Sequence, residues 1–352
     1  MELSVLQTVL LSLLVIVVLI LPLTVHKVEE NLEVFLFACG IFAVTVAQVW
    51  SGHLLFIALK DPLKITAAVL IAGLLFRLFH TELQQLTQHA VKKLGLRWTL
   101  FLIVTILGFS SSIITAIIAA LIVAEVTVML PLGRAGRIKM VIFSCYAIGM
   151  GAILTSIGEP LGTVVVSKLS GAPHHAGFFY LINHLGWYVL GGILFMAGLA
   201  SSIREDTITR APGAKAAHTE SEHTVKSICI RAGKVYLFVM ALTFLGDGLK
   251  PLASKTIVHL NAGWLYWINI LSSVLDNATL AAIEVTPTIS DRTLVFLLIS
   301  LIISGGMLIP GNIPNIICAS KMGIKSKEWM KSAFGLGMAL LLAYFVILIA
   351  VL

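Results

Sequence analysis

Long apolar runs separated by short polar segments dominate the amino-acid sequence. Because about 20 consecutive apolar residues in a helix cross the hydrocarbon core of a bilayer, these runs predict membrane-spanning helices. A transmembrane β-barrel would instead show shorter segments in which apolar and polar positions alternate. The pattern therefore predicts an all-α integral membrane protein, with spans at residues 3–25, 31–50, 62–79, 139–169, 177–200, 230–250, 293–320 and 329–352.

Two further apolar regions, residues 98–130 and 263–287, are interrupted near their middles by GFSSSIIT and SSVLDNAT. Each region predicts either a plain span or two half-helices that meet at a polar tip and return to the same side. The distribution of basic residues favours re-entrant hairpins with both chain termini outside the cell. In that arrangement, all but six of the 24 basic residues lie inside; the exceptions are Lys60, Lys64, Lys168, Lys250, Lys255 and Arg292.

Two of the predicted spans contain residues that interrupt helices. SIGEPLGTV lies within 139–169, and IPGNIPNII lies within 293–320. Glycine and proline disfavour a continuous helix, and a buried glutamate is tolerated in a membrane only where water, protein or an ion satisfies it. The sequence therefore predicts two broken helices at a transport site, shaped by Gly158, Pro160, Gly162, Pro310, Gly311 and Pro314.

The same order of elements occurs twice along the chain: a span, an amphipathic stretch, a tipped region, a broken span and a last span. Aligning Ser111 with Ser272 superposes the tips, and aligning Gly158 with Gly311 superposes the breaks. Each unit makes three crossings, so the two units must have opposite orientations, as in secondary transporters with inverted repeats. The predicted organisation is two N-terminal spans (1–61), a first repeat (62–200), a cytoplasmic linker (201–227) and a second repeat (228–352).

Composition supports this class of protein and excludes others. Hydrophobic residues make up 59% of the chain and charged residues 12%, whereas a soluble domain has about a quarter charged residues. The net charge of +7 fits basic inward loops, so the expected partners are the cell membrane's lipids and transported ions, not nucleic acid. No paired cysteine motif, HExxH, GxSxG or Walker A motif occurs, so neither an enzyme nor a cofactor is expected. A homodimer is left open.

The polar residues of the tips and breaks are mostly hard oxygen donors. A small cation such as sodium takes about five or six oxygen ligands, which side chains and freed backbone carbonyls can supply together. Asp276 is the best single ligand, although Asp276 and Asn277 could instead cap a half-helix. The candidate ion ligands are Ser111, Ser112, Thr115, Thr155, Ser156, Ser272, Ser273, Asp276, Asn277, Thr279, Asn312 and Asn315.

Four acids are candidates for proton coupling. Glu159 and Asp276 are expected near the membrane midplane, where a dry environment would favour a protonated carboxyl group that can exchange its proton for a cation. Alternatively, Glu159 is a protonated structural group that bonds the broken backbone. Glu125 and Glu284 occupy the predicted return arms of the hairpins, where they would either relay protons or be solvated.

SSVLDNAT and TSIGEPLG resemble the hairpin and break motifs of the ion transporter superfamily, which contains NhaD-type sodium/proton antiporters, arsenite permeases and sodium-coupled dicarboxylate transporters. The resemblance covers residues 62–352 and is closest to the small cation-transporter family of that superfamily. Two midplane carboxylates, with no arginine near either tip or break, favour a sodium/proton antiporter, whereas the serine-rich tips and half-helix N-termini support the alternative, a sodium-coupled transporter of small anions. The first tip departs from the pattern, since Thr115 and Ala116 stand where the second tip has Asp276 and Asn277, and Gly162 stands where asparagine is common.

Overall fold

A computed structural model describes residues 3–25, 27–28, 31–78, 80–204, 225–257, 261–275 and 277–352, and this part of the chain is helical, without strands. The helices are α1 (Val5–Thr24), α2 (Leu32–Ala47), α3 (Gly52–Leu78), α4 (His80–Leu94), α5 (Leu96–Ile114), α6 (Ala116–Met129), α7 (Arg134–Ala152), α8 (Pro160–Lys168), α9 (Tyr180–Ser201), α10 (Val225–Ile257), α11 (Ala262–Ile268), α12 (Asn277–Glu284), α13 (Asp291–Gly305), α14 (Ile313–Met322) and α15 (Ser326–Val351). Short 3₁₀ helices cover Asn269–Ser273 and Ile309–Gly311.

Five helices within the described residues are long and apolar enough to cross a membrane. They contain the segments Val5–Pro22, Leu96–Ile114, Tyr180–Ser201, Ile228–Ala253 and Ser326–Val351. Four of them coincide with predicted spans, and α2 and α6 are apolar but shorter. The prediction of an all-α membrane protein is therefore confirmed.

Helix α3 begins ten residues before the span predicted at 62–79. The hydroxyl of Ser51 accepts a hydrogen bond from the backbone N–H of Leu54 (3.0 Å), which stabilises a helix start at Gly52. Pro62 then lies inside the helix, where it removes one hydrogen bond without ending the element. Lys60 and Lys64 are consequently residues of one continuous helix, and their location outside the cell stays a prediction.

Both predicted helix breaks are present, but their positions differ slightly from the expectation. The chain leaves helical geometry at residues 153–159 and again around 306–312, where the short 3₁₀ helix lies. Pro160, Gly162, Pro314 and Asn315 therefore belong to the first turns of α8 and α14 and not to the breaks. Proline is tolerated in a first turn because the N–H that it lacks would have no partner within the helix there.

The two tipped regions differ in length. Thr115 alone separates α5 from α6, and its φ of +75° lies in the left-handed region. In the second region, the seven-residue α11 and a 3₁₀ helix precede α12, and Asp276 lies outside the described residues. Helix α5, with 19 residues, is itself long enough to span a membrane, so the re-entrant course of both regions stays a prediction.

Polar contacts mark the two ends of the bundle. At the first, here called the Arg134 end, Arg134 pairs with Glu328 of α15 (2.8 Å) and donates to the carbonyl oxygen of Gly323, just after α14. At the other, the Asp291 end, the carboxylate of Asp291 lies 3.5 Å from the ring of His174, in the segment after α8. The broken helices α7–α8 and α13–α14 therefore run in opposite directions.

Helices α5 and α7 touch through glycines. A Cβ atom added to Gly151 would lie 1.7 Å from the carbonyl oxygen of Gly108, so the close approach of the two backbones requires glycine. We expect Gly151→Ala to lower the free energy of unfolding by about 1–3 kcal/mol, because the helices must separate. Gly191→Ala on α9, where the added Cβ meets nothing within 4 Å, is the matched control. Equal melting temperatures of the two purified variants would contradict this packing.

Candidate functional site

Three helix N-termini meet at one open cavity of about 540 Å³. Helix α6 begins there at Ala116, α8 at Pro160 and α14 at Ile313. Helix N-termini carry backbone N–H groups without partners inside the helix and a partial positive charge. The polar and charged side chains that line the cavity are Asp61, Lys64, Thr115, Glu159, Thr163 and Asn312.

Glu159 and Asn312 occupy matching positions at this cavity. Each is the N-cap of the helix that follows a break, and each has an extended backbone, with φ −156° for Glu159 and −153° for Asn312. Neither side chain makes the hydrogen bond that usually satisfies an N-terminus. Capping therefore does not occupy the carboxylate or the amide, although both residues are buried.

Besides Thr163, the sequence analysis missed two charged cavity residues, Asp61 and Lys64. They lie three residues apart on α3, which puts them on the same face of that helix. The predicted span began at residue 62, whereas α3 continues without interruption through both residues, whose exposed side chains line the open cavity. A cluster of charges beside a proline, between two apolar runs, was the available signal.

The first tip is held against the first break by hydroxyl groups. The Ser111 hydroxyl lies 2.6 Å from the carbonyl oxygen of Gly108 and 3.0 Å from that of Ile148. The hydroxyl of Thr155 donates to the carbonyl oxygen of Ser112. The side chains of these two predicted ligands therefore bond to the backbone and join the tip to the end of α7 and to the first break.

The second tip packs on the second break in the same way. The Ser272 hydroxyl lies 3.4 Å from the carbonyl oxygen of Leu301 and also bonds to the side chain of Asn277. The amide of Asn315 donates to the carbonyl oxygens of Gly305 (2.8 Å) and Leu308 (2.9 Å). The freed carbonyls of this break are thus partly satisfied by the first turn of α14.

The contacts at the two breaks correspond under the sequence alignment. Ser111 contacts Ile148 as Ser272 contacts Leu301, and these residues are aligned in pairs. A Cβ atom at Gly158 would lie 2.1 Å from the carbonyl oxygen of Ala152, and one at Gly311 would lie 2.5 Å from that of Gly305. Both breaks therefore require glycine at the same position, for the same steric reason.

Gly162 and Asn315 occupy aligned positions, but they differ in how they support the carbonyl oxygens of the two helix breaks. A Cβ atom at Gly162 would lie 2.5 Å from the carbonyl oxygen of Thr155, the residue aligned with Leu308. Asn315 bonds the carbonyl oxygen of Leu308, whereas glycine leaves the corresponding carbonyl without a side-chain amide from this position. The first break is therefore built with less side-chain support than the second.

The structure separates the predicted site residues into two groups. Thr115, Glu159 and Asn312 line the shared cavity, together with Gly158, Pro160 and Pro314. The other described candidates do not line it; they are Ser111, Ser112, Thr155, Ser156, Ser272, Ser273, Asn277, Thr279 and Asn315, and the break residues Gly162, Pro310 and Gly311 also lie elsewhere. Asp276 lies outside the described residues.

Glu125 and Glu284 are both buried, so the alternative that they are solvated was wrong. Glu284 accepts a hydrogen bond from the amide of Asn269 (3.2 Å), which also donates to the hydroxyl of Ser300 (2.9 Å). Glu125 of α6 forms an ion pair with Lys321 of α14. Sequence analysis placed both acids on return arms, but only the fold identifies these partners.

Each helix that follows a break packs on a helix from the other half of the chain. Lys321 of α14 joins α6 through Glu125, and the ammonium of Lys168 of α8 donates to the carbonyl oxygen of Val285 (3.0 Å), just after α12. Lys168 and Lys321 are aligned residues. The Lys168–Val285 contact lies towards the Asp291 end of the bundle, and the Lys321–Glu125 contact lies towards the Arg134 end. The Lys321–Glu125 contact is a buried pair of charges.

Comparison with known proteins gives a family. No curated protein matches the chain at a significant level. A family model described as "Protein of unknown function (DUF1646)" matches residues 8–352, which include both broken helices and every residue of the cavity. Because the match spans nearly the whole chain, the protein belongs to the DUF1646 family.

Proposed function

We propose that this protein is a secondary active transporter that exchanges sodium, or a similar small cation, for protons in the cell membrane. The observation that carries the proposal is the position of Glu159, a buried carboxyl group on a shared cavity at the start of a half-helix. Ionisable groups inside membrane proteins usually mark ion pathways or proton relays. The resemblance to the ion transporter superfamily points to the same function.

Coupling follows from competition for one carboxylate. A proton on Glu159 removes the negative charge that a cation needs, and a bound cation disfavours the protonated form. Thr115 and Asn312 add a hydroxyl and an amide oxygen to the cavity lining, which also includes Ile157 and Gly158 of the first break. Asp276 is proposed as a second carboxylate from the neighbouring tip.

Alternating access would come from two inverted repeats, residues 62–200 and 228–352. Three observations support this organisation: the broken helices run in opposite directions, aligned residues make matching contacts, and each half-helix packs on the other repeat. In transporters of this design, the two repeats move against each other around a fixed site at their interface. The tipped regions α5–α6 and α11–α12 are proposed as the re-entrant hairpins of the two repeats.

The Arg134 end is proposed to face the cytoplasm. Basic residues are concentrated at that end, which agrees with the excess of lysine and arginine in cytoplasmic loops. Those residues are Arg134, Arg137, Lys139, Arg204, Lys325 and Lys327. In this orientation, the linker 201–227 is cytoplasmic and both termini are outside.

A second candidate function is sodium-coupled transport of a small anion such as a carboxylate or an oxyanion. The observation that favours it is the meeting of three helix N-termini at one cavity, because N–H groups and helix dipoles attract negative charge. Lys64 adds a positive charge to the same lining. In this alternative, Glu159 would hold the coupling sodium beside the anion.

Flux measurements on the purified protein in liposomes distinguish the two functions. An imposed pH gradient should drive uptake of sodium in the absence of any co-transported anion, with lithium and potassium tested as competitors. Sodium uptake that requires a small carboxylate or oxyanion, and ignores the pH gradient, would favour the second function. Liposomes without the protein give the background leak.

A further inference from the structure

We propose that His184 and Asp291 form a proton-dependent clamp between the two halves of the chain. When the imidazole of His184 is protonated, it pairs with Asp291 and holds α9 against the start of α13; when it is neutral, the clamp opens. The inference rests on the proposed function, because it assigns regulation by pH to the movement of the two repeats. It goes beyond that function by naming a titratable group outside the shared cavity.

The carboxylate of Asp291 joins the two halves at its end of the bundle. Its Oδ1 atom lies 3.3 Å from the hydroxyl of Tyr180, 3.5 Å from Nδ1 of His174 and 3.6 Å from Nε2 of His184. Asp291 begins α13, whereas the other three residues belong to α9 or to the segment before it. One carboxylate of the second half therefore meets three polar groups of the first half.

The hydrogen bond of Nδ1 in His184 determines what its Nε2 atom can do. Nδ1 lies 2.8 Å from the backbone carbonyl oxygen of Tyr180, and because a carbonyl oxygen only accepts, Nδ1 carries a hydrogen. A neutral imidazole has one N–H group, so Nε2 of the neutral ring faces the carboxylate of Asp291 with a lone pair. Protonation puts a hydrogen on Nε2 and a positive charge on the ring. One proton therefore changes this contact from repulsive to attractive.

The neighbouring side chains hold the His184 ring and leave it as the group that takes the proton. The ring centroids of Tyr180 and His184 lie 4.2 Å apart, and an aromatic ring attracts a cation placed over it. Within the described residues, Nε2 of His174 is buried and has no hydrogen-bond partner. A proton added to His174 would therefore bury an N–H group without an acceptor, whereas a proton added to His184 meets a carboxylate.

The other charged or titratable groups near the clamp are engaged elsewhere or exposed. The guanidinium of Arg292 lies 5.7 Å from the centre of an aromatic ring of α13, and the ammonium of Lys168 donates to the carbonyl oxygen of Val285. His175 is exposed and forms no ion pair with Asp291 in the part of the chain that the structure describes. Helices α5 and α7, which also pack on α9, carry charged residues only in their first two turns, away from the Asp291 end.

The sign of the pH effect follows from this geometry. Histidine side chains change charge between about pH 5 and pH 8, so acid pH should close the clamp. The side chains of His184 and Asp291 are 23% and 65% exposed, and ion pairs of such exposure are weak. We therefore expect the ratio of closed to open molecules to fall about three- to fivefold between about pH 5.5 and about pH 8.5.

The test is the distance between two spin labels in the purified full-length protein, measured by electron paramagnetic resonance at both pH values. Gly177→Cys and Thr288→Cys, in a variant without the four native cysteines, place exposed labels on the segments before α9 and before α13. The shorter distance should be more populated at the lower pH. Identical distance distributions at the two pH values overturn the inference.

Variants of the clamp show whether His184 is the group that responds. His184→Gln and Asp291→Asn each remove one charge of the pair, and each should give the same distance distribution at both pH values. His175→Gln removes an exposed histidine close to the clamp, and it should keep the pH effect of the parent protein. A pH effect that survives in either folded clamp variant contradicts the inference. Size-exclusion chromatography in detergent checks folding, and Asp291→Asn keeps the test decisive where His184→Gln does not fold.

The distance measurement separates this inference from the exchange function, because it requires no ion flux. A protein that exchanges sodium for protons in liposomes but shows no pH-dependent distance loses the clamp and keeps its function. A protein that shows the pH-dependent distance but no sodium flux keeps the clamp and loses the exchange function.

Discussion

Replacing Glu125 by glutamine is expected to lower the free energy of unfolding by about 3–5 kcal/mol. Its carboxylate pairs with the ammonium of Lys321, and the two side chains are only 5% and 7% exposed. Val69, Leu121 and Ile317 line the small cavity next to the pair, so water does not readily replace the lost charge. The buried ammonium would lose the carboxylate that balances its charge.

Thermal unfolding in detergent tests this prediction. The double variant Glu125→Gln/Lys321→Met removes both charges and should recover most of the lost stability, because a neutral pair carries no desolvation cost. Glu328→Gln is the control, since the Arg134–Glu328 pair is 56% and 35% exposed and such pairs contribute about 0–1 kcal/mol. Equal losses in Glu125→Gln and Glu328→Gln would contradict a structural role for the buried pair.

Glu159→Gln is expected to remove the pH dependence of sodium binding. In the parent protein, a proton and sodium compete for the carboxylate, so the apparent Kd for sodium should rise as the pH falls, by up to about tenfold per pH unit. Glutamine has a similar size and keeps a carbonyl oxygen, but it neither binds nor releases a proton at these pH values. Some sodium binding should remain through the other oxygens of the site, with a flat pH profile.

Calorimetric titrations at several pH values measure that profile. Glu82→Gln, which changes an exposed acid on α4, should keep the slope of the parent protein. A slope that survives in Glu159→Gln would show that another group, with Asp276 as the leading candidate, carries the exchanged proton. A flat profile in the parent protein itself would favour the anion-coupled alternative.

The helix breaks could be predicted from the sequence because their causes are local. Glycine and proline within an apolar run interrupt a helix wherever it lies, and the aligned Gly158 and Gly311 prove to be needed for the same close backbone contact. The positions shifted by a few residues because a proline stabilises the first turn of a helix as readily as it breaks one. Pro160, Gly162 and Pro314 therefore belong to helices and not to breaks.

The partners of the buried polar groups could not be predicted in this way. Glu125 and Lys321 are 196 residues apart, and only the packing of α6 on α14 brings them together. Asp61 and Lys64 were missed because the hydropathy pattern does not show which charged residues of a helix line a cavity. The hydroxyls of Ser111 and Thr155 were predicted to be ion ligands, but in the structure they donate hydrogen bonds to backbone carbonyl oxygens.

We propose that the transported cation binds in the cavity between the N-termini of α8 and α14. Ile157 lines this cavity, is 52% exposed and offers no side-chain ligand, so Ile157→Cys in a variant without the four native cysteines reports on its occupancy. We measure the rate at which a maleimide labels this cysteine as sodium is added, with Ile113→Cys on α5, outside the cavity, as the control. Sodium should slow labelling at Ile157→Cys several-fold, less so after Glu159→Gln, and leave Ile113→Cys unchanged. A labelling rate at Ile157→Cys that sodium does not alter, in protein that transports sodium, would contradict the claim.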